Sequence, residues 1–201
     1  MANEARVNIG YRIAGRAVDA QIVRQDEAVS SIQIAMPAAR AGTLTTRTND
    51  TTGVVTVAEG HGITDEDTVA VFWDGGRRYA VAVSATTATT VSIGSGGAGA
   101  VLPAEDSVVT ICKETTSNLV VDGDDIHIIA VYGPSRLSAN IRKAAGVSVK
   151  ALDIPAKESF AYISGFSASN PFATESLLDA VVAHDEAAAR TAEILLLKNT
   201  I

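Results

Sequence analysis

The chain has 201 residues, a net charge of −7, 47% hydrophobic residues and 4% aromatic residues. That length holds one or two domains with a real core. The acidic balance argues against non-specific binding to nucleic acid or an anionic membrane, both of which need a basic face.

Val7, Ile9, Tyr11 and Ile13 alternate with Asn8, Gly10 and Arg12, the period of a strand with one buried face. Val18–Arg24 continues the pattern across a turn at Gly15, and Ser31–Met36 alternates again until Pro37. Residues 37–52 are rich in Ala, Gly, Thr and Asn, with Leu44 their one long apolar side chain, and read as a linker.

Five short strands are expected next: Val54–Ala58, Thr68–Trp73, Arg78–Ser84, Thr90–Ile93 and Val108–Cys112. Asp74-Gly75 between two β-rich runs is a strong hairpin signal, because the turn requires positive φ. So many strands in so short a stretch suggest a small closed barrel, which removes exposed sheet edges.

Beyond a polar exit at 113–118, strands are expected at Leu119–Val121, Ile126–Tyr132, Val147–Ile154 and Ser159–Ser164, with a loop at Ser167–Pro171. Glu175–Leu197 is ambiguous. Its Ala-rich centre favours helix, whereas Leu178–His184 and Thr191–Leu197 read as the arms of a hairpin turning at Asp185–Ala189. The β context favours the hairpin. The expected organisation is mainly β: a sandwich from residues 1–40 and 117–201, with a barrel of SH3 or OB size inserted at 43–113.

No catalytic or cofactor-binding residues and no metal ligands are assigned. Gly94-Ser-Gly-Gly-Ala-Gly99 fits a dinucleotide fingerprint, but Pro103 blocks the helix such a site needs, so it reads as a glycine turn. His61, His127 and His184 lack ligand spacing, and His61 is expected to bond the backbone of its turn. The acidic runs Asp65–Asp67 and Asp122–Asp125 do not continue as a calcium loop. Ser164-Gly165 is not a nucleophile elbow. Cys112 is the single cysteine; no intrachain disulfide is possible, and the thiol is expected to be buried and inert. Met1–Arg6 does not read as a signal peptide, and no run approaches the ~18 apolar residues of a membrane span, so synthesis in a reducing cytoplasm is expected.

The densest aromatic and basic cluster is Phe72-Trp73-Asp74-Gly75-Gly76-Arg77-Arg78-Tyr79. Trp73 and Tyr79 read first as a cross-strand pair pinning the hairpin. If the barrel binds a partner, Trp73, Arg77, Arg78 and Tyr79 are the expected contacts.

Gly53-Val-Val-Thr-Val-Ala-Glu-Gly-His-Gly-Ile63 and Asp67-Thr-Val-Ala-Val-Phe-Trp-Asp-Gly-Gly-Arg-Arg-Tyr79 are similar to β modules of tailed-bacteriophage virion proteins and prophage-like gene clusters. Pro37-Ala-Ala-Arg-Ala-Gly-Thr-Leu-Thr-Thr-Arg-Thr48 and Asn170-Pro-Phe-Ala173 share that texture. The resemblance implies a non-enzymatic virion component present in many copies. A capsid decoration (cement) protein is favoured, and a tail or neck component or a receptor-binding module is the alternative. The implied partners are the major capsid protein or other virion proteins and further copies of the chain, with no cofactor, nucleic acid or membrane. The implied location is the virion. A strand arm bearing Val7, Ile9 and Tyr11 is expected to pair with a neighbouring subunit.

Overall fold

Alternating apolar residues set strands along most of the chain, and the computed structural model is almost all β. It describes residues 4–13, 16–25, 27–144, 147–163 and 169–199. The Gly15 turn, the Ser164-Gly165 step and the start of the 167–171 loop lie outside these.

Strands β1 (Glu4–Ile13) and β2 (Arg16–Gln25) form an antiparallel ribbon that joins no other sheet. Their register places Val7 opposite Ile22, Ile9 opposite Ala20 and Tyr11 opposite Val18. One residue separates β2 from β3 (Glu27–Met36).

The barrel follows: β4 (Arg40–Arg47), β5 (Gly53–Val57), β6 (Thr68–Trp73), β7 (Gly76–Thr86), β8 (Thr90–Ile93), β9 (Ala98–Gly99) and β10 (Val108–Lys113). Six of these close antiparallel in the order β6-β10-β4-β5-β8-β7, with β7 pairing back to β6; β9 adds a short pairing to β7. The closed wall surrounds Leu44, Val55, Val69, Val71, Val81, Val91 and Ile111. Half of the expected linker at 37–52 is therefore the sixth barrel strand. Its Thr-rich sequence hid it, because only Leu44 is fully buried along β4.

The sandwich comprises β3 and seven later strands: β11 (Thr115–Asp122), β12 (Ile126–Tyr132), β13 (Leu137–Ala144), β14 (Val147–Ile154), β15 (Ser159–Ile163), β16 (Ser176–His184) and β17 (Arg190–Asn199). One sheet runs β11-β16-β13-β14 and the other β15-β12-β17-β3. Both contribute to a single core, including Ile34, Ile129, Val131, Ile141, Leu152, Phe172 and Ile194. Tyr162 and Phe172 meet there edge to face, with centroids 6.4 Å apart. Strand β13 carried no clear sequence signal, because the buried Ser138 and Asn140 interrupt its apolar pattern; the Ser148 hydroxyl donates to Asn140 Oδ1 at 2.5 Å.

Residues 176–199 are strands, with the turn between His184 and Arg190. They are not a hairpin, however. β16 lies between β11 and β13 in one sheet, and β17 lies between β12 and β3 in the other. The segment crosses from one layer of the sandwich to the other. Periodicity identifies a buried strand but not the sheet it joins.

Candidate functional site

The cluster at residues 72–79 sits where the barrel meets the sandwich. Strand β6 is covered on both sides. Val69 and Val71 enter the barrel core, whereas Ala70 and Phe72 pack with Ala39, Tyr79, Cys112 and Ala183 in a second cluster. This is why Thr68–Trp73 reads as a continuous apolar run rather than an alternating one.

Arg77, Arg78 and Tyr79 are buried. Arg77 lies 4.6 Å over the Tyr79 ring and pairs with Asp153 of β14 at 3.5 Å. Burial lowers the proton affinity of Arg77, and the Asp153 charge opposes that loss. Arg78 turns the other way. Its guanidinium donates to the carbonyls of Gly96 at 2.7 Å and of Gly97 and Ala100 at 3.2 Å. The glycine run is therefore a loop tied to β7, and no helix follows it at residues 100–107, where a nucleotide site would need one. At Gly97 and Gly99 φ is positive, and a Cβ would meet the carbonyls of Tyr79 and Arg77 at 2.5 Å. Only glycine fits that approach.

Trp73 is half-buried and packs on the barrel core. The expected Trp73–Tyr79 cross-strand pair does not form. Trp73 stands opposite Gly76, and Tyr79 lies at an irregularity between Val69 and Val71 on the partner strand. Ala80 there has φ of 53°, and its amide donates to the Glu114 carboxylate at 2.8 Å. Burial raises the Glu114 pKa, outweighing that hydrogen bond, one from Thr68 and the charges of Arg142 and Arg77.

From the sandwich side, Arg136 reaches across. It donates to the Trp73 carbonyl at 3.1 Å and lies 5.6 Å over the Phe72 ring. Its other nitrogens hold Asp153 at 3.0 and 2.8 Å. Burial works against the Asp153 carboxylate, but the Arg136 hydrogen bonds and the charges of Arg136 and Arg77 hold its pKa below the ordinary range. Nearby, the Cys112 thiol and His184 Nε2 both approach the Pro37 carbonyl, at 3.6 and 2.8 Å. Burial pushes the Cys112 thiol up to about 11 and lowers the His184 pKa.

Comparison with family models, curated proteins and solved structures gives no match.

The geometry assigns Phe72, Arg77 and Tyr79 to the chain's own junction and Arg78 to the barrel's glycine loop. Trp73, Arg77, Arg78 and Tyr79, expected as contacts for a partner, spend their side chains on intramolecular partners. His61 accepts the Ile63 amide at Nδ1 and donates from Nε2 to the Thr87 carbonyl at 2.8 Å. The side chain of His127 is outside what is described. Among the described residues, no three His, Cys, Asp or Glu groups converge to hold a metal.

Val7, Ile9 and Tyr11 lie at alternate positions of β1, so the register puts them and their partners on one face of the ribbon. Their side chains are outside what is described. The sequence missed Arg136, Asp153 and Glu114, which form the junction. Each looks like an ordinary surface charge until the fold brings distant strands together.

Proposed function

We propose that the chain is a non-enzymatic structural protein of a tailed-phage virion, with capsid decoration as a homo-oligomer the favoured role. The observation that supports assembly is the β1–β2 ribbon. Its strands are ten residues each, it pairs with no described strand of the barrel or the sandwich, and its register places Val7, Ile9, Tyr11 and their apolar partners at alternate positions. A lone two-stranded ribbon is marginal in water, so one of this length gains by pairing outside its own fold. The junction adds a second support. Charge pairs and a buried cluster join barrel and sandwich into one unit, as a shell component under load requires.

The test is co-sedimentation of the full chain with cognate capsid shells, beside a variant lacking residues 4–25. Stoichiometric coating by the full chain, and loss of coating in the deletion, are expected. A chain that ignores shells and instead forms rings or tubes points to a tail role and overturns the decoration reading.

A further inference from the structure

We infer that the β1–β2 ribbon docks onto a second copy of this chain, at the open edge of β11 and the acidic turn that follows it. The inference rests on the assembly reading above and specifies its contact. Residues 4–25 carry Arg6, Arg12, Arg16 and Arg24 against Glu4 and Asp19, a net charge of +2. The whole chain is −7, which leaves −9 on everything outside the ribbon. A basic ribbon on an acidic body favours a ribbon-to-body contact over ribbon against ribbon, which would set like charges together.

Topology favours another copy over the ribbon's own body. With one residue between β2 and β3, the chain lacks the length for a reversing turn there. The two strands do not pair, and the ribbon joins no sheet of its own sandwich. At roughly 3.3 Å per residue each ribbon strand is about 33 Å long, enough to span a neighbour.

The acceptor is marked by three features. Strand β11 is an edge of its sheet, and among the described residues no strand pairs with its outer side. Its pairing with β16 is irregular between Asn118 and Val121, so Leu119 and Val120 together stand opposite Leu178. Val120 and Leu178 are 66% and 41% exposed. Among the described residues they are the two exposed large apolar side chains that face one another on neighbouring strands. Val120 also has φ of 44°, a conformation costly for a β-branched residue. Immediately beyond, the sequence reads Asp122-Gly-Asp124-Asp125, an acidic turn opposite in charge to the ribbon. A ribbon-to-body contact is heterologous, so it propagates into rings or shells rather than stopping at a dimer.

The test uses two full-length variants. One reverses the ribbon charge (Arg6→Glu, Arg12→Glu, Arg24→Glu). The other blocks the acceptor (Val120→Lys, Leu178→Lys). Masses are read by native mass spectrometry, with circular dichroism to confirm folding. The wild type is expected to form higher oligomers and each variant alone to be monomeric. The mixture should give a one-to-one dimer, because each variant keeps the half that the other lacks. A folded ribbon variant that retains the wild-type mass, or a mixture that stays monomeric, overturns the inference. A wild type that coats shells but is monomeric in solution overturns this contact and leaves the decoration reading standing. Oligomers that ignore shells, with complementation intact, do the reverse.

Discussion

Arg136 holds both oxygens of Asp153 while donating to the backbone carbonyl of Trp73, so one guanidinium ties a sandwich hairpin to the barrel. Arg77 approaches the same carboxylate from the barrel side. Asp153 is thus shared between two arginines on different parts of the fold, and its position sets how the barrel sits on the sheet.

Replacing Arg136 with Ala removes the bidentate pair and leaves the Trp73 carbonyl without this donor. Hydrogen bonds to charged groups contribute about 1.5–3 kcal/mol each when buried. Asp153 is 40% exposed, so water screens the pair, and a loss of about 1–2 kcal/mol is expected for the variant. Calorimetry should show a lower melting temperature. An Arg136→Ala, Asp153→Asn double-mutant cycle should show coupling between the two residues. Strict additivity would mean that the pair does not lock the junction.

Arg78 anchors three carbonyls of the 96–100 segment with a planar fork. A lysine supplies charge but not that geometry. Arg78→Lys is therefore expected to destabilise the chain by about 2 kcal/mol, close to an alanine substitution. The urea midpoint should fall, and proteolysis within the glycine run should accelerate. A lysine variant that melts with the wild type would show that charge alone holds the loop.

Strands whose residues face an apolar core on one or both sides were legible in the sequence: Thr68–Trp73, Ile126–Tyr132 and Val147–Ile154 all fall where their side chains require. Strand β4 was not, because threonines dominate it and the barrel asks only Leu44 to fill space. Strand β13 was not, because the polar Ser138 and Asn140 are buried in it, Asn140 accepting from the Ser148 hydroxyl, and break its apolar pattern. The junction was least legible. Arg77 and Tyr79 look like an exposed binding cluster until Asp153, far along the chain, is brought beside them. The same blindness to long-range pairing made β16 and β17 look like one hairpin rather than strands of opposing sheets.

Cys112 is buried between barrel and sandwich, and its thiol is pushed up to about 11. The thiolate is the reactive form. Alkylation of the native chain at mildly alkaline pH should therefore be negligible, and one thiol per chain should react fully in concentrated guanidinium. Rapid labelling of the folded protein would mean that the junction opens on the labelling timescale.

Glu114 gives the junction a pH dependence of definite sign. Burial raises its folded-state pKa above the ordinary value of 4.5. The folded state therefore holds this proton more tightly than the unfolded chain does. The resulting stabilisation is fully present below pH 4.5 and is lost as pH rises through the folded pKa. Asp153 acts in the opposite sense: its pKa is depressed below 3.8, and its contribution is lost as pH falls through that lowered value. Glu114→Gln keeps an oxygen for the Ala80 amide and removes the buried charge. The variant should be more stable than the wild type near neutral pH, and its advantage should shrink as the medium is acidified through the ordinary carboxylate range. Melting curves across that range would check it. A variant less stable than the wild type near neutrality would mean that attraction to Arg142 and Arg77 outweighs the cost of burying the carboxylate.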